Sequence, residues 1–67
     1  MFDAREVAKL QEDWVALKES GKMTKRAICD LVIPFRNRHG LTDMVALEIA
    51  KGNMSLSEMV RVMEGRE

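Results

Sequence analysis

The sequence predicts an all-α fold, a single small domain over residues 1–67 made of four short helices at about 4–20, 25–39 (kinked at Pro34), 43–51 and 56–64. Three observations predict it. Apolar residues recur at three- and four-residue spacings, the period of a helix with one buried face. Helix-starting residues stand at four points, and glycines follow three of the resulting segments. No segment alternates apolar and polar residues between turn signals, as a strand would.

The first helix begins at Asp3, whose side chain can accept from the amide of Glu6 while Glu6 reaches back, a capping box with Asp in the place of Ser or Thr. Phe2 before the cap and Val7 inside it suit a hydrophobic staple. Val7, Leu10, Trp14 and Leu17 then form one stripe, ending near Ser20-Gly21. The stripe suits a core and, less well, a short coiled-coil seam.

The second helix starts after Thr24 and runs to His39-Gly40, with Ala27, Ile28, Leu31, Val32 and Phe35 along one face. Pro34 removes one N–H and crowds the carbonyl of Asp30, which predicts a kink or two shorter helices meeting there, at a cost of about 3 kcal/mol.

Thr42 caps the third helix, and Lys51-Gly52 ends it with a cation and a glycine. Met44, Val45, Leu47, Ile49 and two alanines surround it, so it is expected to be the most buried element. Ser55-Leu56-Ser57-Glu58 matches a capping box at the start of the fourth helix, which carries Leu56, Met59, Val60 and Met63 on one side. Gly65-Arg66-Glu67 is expected to fray.

With 46% hydrophobic and 33% charged residues the chain has the balance of a folded protein. Its length limits the core it can build, for an expected net stability of about 3–5 kcal/mol. One cysteine and one histidine make neither an internal disulfide nor a structural zinc site. Self-association is therefore the natural way to bury more apolar surface, and a homo-oligomer is expected.

Catalytic chemistry finds no footing in the residues. Cys29 and His39 lie ten positions apart, about 15 Å of rise on a helix, too far for a nucleophile and its base. Glu6, Glu12, Asp13, Glu19, Glu58 and Glu64 fall at capping or solvent positions. The four glycines are spread singly, with no phosphate-binding run. No cofactor, metal or catalytic residue is expected. Neither a signal-like start nor 18 consecutive apolar residues is present, so the chain is expected in the cytoplasm and away from membranes.

Eleven basic residues balance eleven acidic ones, but only by cancellation. From Lys22 to His39 five basic residues, Lys22, Lys25, Arg26, Arg36 and Arg38, stand against Asp30 alone, an excess of +4. On a helical wheel Ile33 and Cys29 fall away from the Leu31 stripe, beside Lys25, Arg26 and Arg36. That is an apolar centre with a cationic rim, unless both sides of the helix are buried. Met44, Met54, Met59 and Met63 are expected to fill gaps in the core, with a second candidate surface as the alternative, in which Met54 is expected to be exposed because it lies in a turn.

Ala46 to Met63 has the outline of a helix-turn-helix, with Gly52 at the turn. Glu48 stands where such a unit needs a small residue and Glu58 where it needs an apolar one, and carboxylates on the would-be recognition helix repel phosphates. That assignment fails. The expectation is a small non-catalytic regulatory or adaptor protein that binds another protein, as a homodimer, through Lys25, Arg26, Cys29, Ile33, Arg36 and Met54. The alternative is a transcriptional regulator contacting nucleic acid with Lys22, Lys25, Arg26, Arg36 and Arg38.

Overall fold

Each helix begins where a side-chain oxygen takes up an amide that the helix itself leaves free. A computed structural model describes residues 2–64 and shows α1 (Ala4–Ser20), α2 (Lys25–His39), α3 (Asp43–Lys51) and α4 (Leu56–Glu64), with no strand among the described residues. The Asp3 carboxylate accepts from the amides of Arg5 and Glu6, Thr24 from Ala27, Thr42 from Val45 and Ser55 from Glu58. The frayed tail expected at Gly65-Arg66-Glu67 lies outside the described residues.

The stops are equally local. At the end of α3, Gly52 has φ 79°, a left-handed conformation that a Cβ disfavours. Its amide donates to the carbonyls of Glu48 and Ile49, and the Asn53 amide donates to Glu48 at 3.0 Å, so two of the last four carbonyls of the helix are satisfied.

Pro34 does not divide α2, which runs as one helix of 15 residues through it. The proline ring is exposed, while Val32 and Phe35 of the same helix are buried. Of the two outcomes expected at Pro34, a kink or two shorter helices, the division into two does not occur.

α1, α2 and α3 each pack against the other two. Val7, Leu10 and Trp14 of α1 meet Val32 and Phe35 of α2 and Ala46, Ile49 and Ala50 of α3 in the core. Three of the four residues of the α1 stripe are thus buried within the monomer, and Leu17 is half-buried. α3 supplies the most deeply buried residues, as its composition predicts, yet Met44 in its first turn is 74% exposed. α4 joins the core through Met59 and Met63 and keeps its backbone farther from the other three helices. Among the described residues no helix is long and apolar enough to cross a membrane.

Candidate functional site

The face of α2 that carries Cys29 and Ile33 lies against α3 without being sealed by it. Between the helices is a groove of about 180 Å³, lined by Ile28, Cys29, Val32 and Ile33 from α2 and Leu47 from α3, with Arg36 and Asp43 at the turn that joins them. Cys29 and Ile33 are half-buried. They belong neither to the enclosed core nor to open surface, which is the condition of side chains in a docking groove. Cys29 is a free thiol.

Arg36 closes one end of this groove. Its Nη1 donates to Asp43 Oδ1, and its Nε and Nη2 donate to Asn37 Oδ1 at 3.1 and 2.9 Å. The guanidinium, with its side chain 28% exposed, is thus neutralised within the monomer. Arg38 is engaged as well, its Nη1 donating to Glu6 Oε2 at 2.7 Å. Two of the five cations of the basic stretch are therefore committed to carboxylates elsewhere in the chain.

Lys22, Lys25 and Arg26 are in a different condition. All three are exposed at the start of α2, and none has an ion-pair partner among the described residues. The first turn of α2 contains no acidic residue, so these cations sit at the positive end of the helix dipole, where like charge is disfavoured. Lys25 stands one turn before Cys29 on the same line of the helix, at the end of the groove away from Arg36 and Asp43.

Met54 does not take the place expected of it. It is half-buried and packs against the core in spite of its turn position. Among the described residues the exposed methionine is Met44, three residues before the groove residue Leu47.

The sequence also gives no sign of Glu6's role. In place of closing a capping box, its carboxylate accepts from Arg38 and from His39 Nε2 at 3.0 Å. A carboxylate has no proton to give here, so His39 carries its proton on Nε2. The His39 ring rests against Phe35, with centroids 4.8 Å apart. Cys29 and His39 share no hydrogen bond among the described residues, the first lining the groove and the second bound to Glu6.

A second groove, of about 240 Å³, runs between α1 and α2 over Leu10, Leu31, Pro34 and Phe35. Its edges are the pairs Lys9–Asp13 at 3.0 Å and Arg38–Glu6, each already neutral. The hydrogen bond that Lys9 donates to Asp13, and then the Asp13 charge, holds the Lys9 pKa above the ordinary lysine range. This groove presents no unpaired charge from those residues to a ligand. Among the described residues no group of three or more His, Cys, Asp or Glu is placed to hold a metal ion.

Comparison with known proteins finds no family model, no curated protein and no solved structure that matches the chain.

Proposed function

We propose that this chain is a non-catalytic regulatory or adaptor module of the cytoplasm that binds another protein in the groove between α2 and α3. The observation that carries the reading is the half-burial of Ile33 and Cys29 in a channel with an apolar floor. Apolar side chains left beside exposed cations are the composition of a protein-docking surface, in which a few buried anchors supply most of the affinity.

Homodimerisation is the second part of the proposal. A chain of this size gains from burying more apolar surface. Val15, Met44 and Leu56 are large apolar side chains that the monomer leaves exposed.

Nucleic acid is the lesser reading. Lys22, Lys25 and Arg26 favour it, but Arg36 and Arg38 are paired with Asp43 and Glu6. Phosphate binding gains from each additional free cation, and three at one end of a helix make a short footprint.

The experiment is Ile33→Asp, read in two ways. The variant is expected to stay folded by circular dichroism and to lose the proteins that co-purify with the native chain, with the loss confirmed by calorimetry on the purified partner. A variant with no folded population would assign Ile33 to the core, and undiminished binding would remove the groove from the function. Sedimentation equilibrium of the native chain tests the dimer, and a monomer at high concentration refutes it.

A further inference from the structure

Resting on the reading of the α2/α3 groove as a docking site, we propose that its occupant is an amphipathic helix of another protein, with its acidic end lying over the first turn of α2. The floor of Ile28, Val32, Ile33 and Leu47 is a channel between two helices. A third helix fills such a channel with apolar side chains spaced three and four residues apart.

The two ends of the channel differ in charge, and that difference sets the partner's chemistry and direction. At the turn end Arg36 is neutralised by Asp43, so a charged group there gains little. At the other end Lys22, Lys25 and Arg26 are exposed and have no ion-pair partner among the described residues. α1, α3 and α4 each have an acidic residue in the first turn, whereas α2 has none and carries cations there. Carboxylates from a partner would supply the negative charge that this end of α2 lacks, and would act on encounter rate and orientation as well as on affinity.

A second copy of the chain fits less well. The exposed acidic line of α1, Glu12 and Glu19 flanking Val15, lies on the side of that helix away from its buried Leu10 and Trp14, and hence away from α2 and α3. A copy docked by that face would leave its own groove open, so the contact would be heterologous and lead to a ring or an open chain of copies. A homodimer formed elsewhere leaves the groove free for a different protein.

The test uses the full chain and two labelled synthetic helical peptides with the same leucine spacing, one ending in a run of glutamates and the other in lysines. The glutamate peptide is expected to bind about tenfold tighter or more, with a preference that weakens as salt rises. Amide NMR shifts are expected to gather at Cys29, Ile33 and Leu47. The exposed double variant Lys25→Glu/Arg26→Glu, checked for folding by circular dichroism, is expected to reverse the preference. Equal affinities with shifts in the groove would overturn the acidic partner and leave the groove reading standing. Shifts that avoid Cys29, Ile33 and Leu47 would overturn both. No binding of either peptide at millimolar concentration overturns the acidic-helix inference, as does short duplex DNA that binds through Lys22, Lys25 and Arg26 more tightly than the glutamate peptide does.

Discussion

Glu6 and His39, 33 positions apart, are joined by a 3.0 Å hydrogen bond that ties the first turn of α1 to the last turn of α2. The His39 side chain is only 8% exposed, so its Nε2–H has little water to turn to if the carboxylate is removed. Glu6→Ala is therefore expected to cost about 1–3 kcal/mol, the range for a buried donor left unsatisfied. Arg38, whose side chain is 67% exposed, bonds the same carboxylate. Arg38→Ala is expected to cost less than about 1 kcal/mol, as exposed ion pairs do. Urea unfolding of both variants checks the order, and equal losses would contradict it.

Gln11 fastens α1 to α3 by donating from Nε2 to the carbonyl of Ile49 at 3.0 Å. That carbonyl also accepts from Gly52, in the turn that ends the helix. Gln11→Ala is expected to lower stability by about 1 kcal/mol. Gln11→Glu places a carboxylate against the carbonyl and should cost more at neutral pH, with recovery as the new side chain gains a proton, complete once the pH falls to about 4. Thermal melts of both variants at two pH values decide this; a Gln11→Glu variant that is insensitive to acid would remove the bond from the account.

Pro34 is exposed inside a continuous helix and supplies no amide to the carbonyl of Asp30. Pro34→Ala restores that donor and relieves the crowding, at the expense of a looser unfolded chain. The net expectation is a gain of about 1–3 kcal/mol. An unchanged or lower melting temperature would show that the proline is accommodated without cost.

Gly52 tests conformation apart from packing. A Cβ there meets nothing within 4 Å, so the φ of 79° is the only obstacle to a side chain. Gly52→Ala is expected to cost about 1–2 kcal/mol. Gly52→Asn should cost less, since asparagine tolerates the left-handed region. Equal costs for the two, measured by chemical denaturation, would point to something other than backbone strain.

Those four sites also show what the amino-acid order made legible. The helix bounds were readable because each depends on neighbours in sequence: a cap at Asp3, Thr24, Thr42 or Ser55, and a glycine at 21, 40 or 52. Glu6 shows the limit. Its position fits a capping box, yet two donors arriving from the far end of α2 draw its carboxylate away, and no local pattern announces them. A wheel places Ile33 and Cys29 on one side of α2 but says nothing of how closely α3 will approach, and the outcome lay between core and surface. Likewise Met54 looked exposed by its turn position, whereas burial depends on where the turn folds. Nothing local in the sequence marked Asp43 as the partner that neutralises Arg36 across the Gly40 turn.

The attachment of α4 by Met59 and Met63 has a chemical consequence. Thioether sulfur is the part of an apolar core that peroxide can alter, and a sulfoxide in its place is polar and bulkier. Oxidation at these two positions would lift the last helix while leaving the three-helix body, whose buried residues contain no sulfur, in place. Met44, standing in solvent, would take up oxygen first and disturb nothing beneath it.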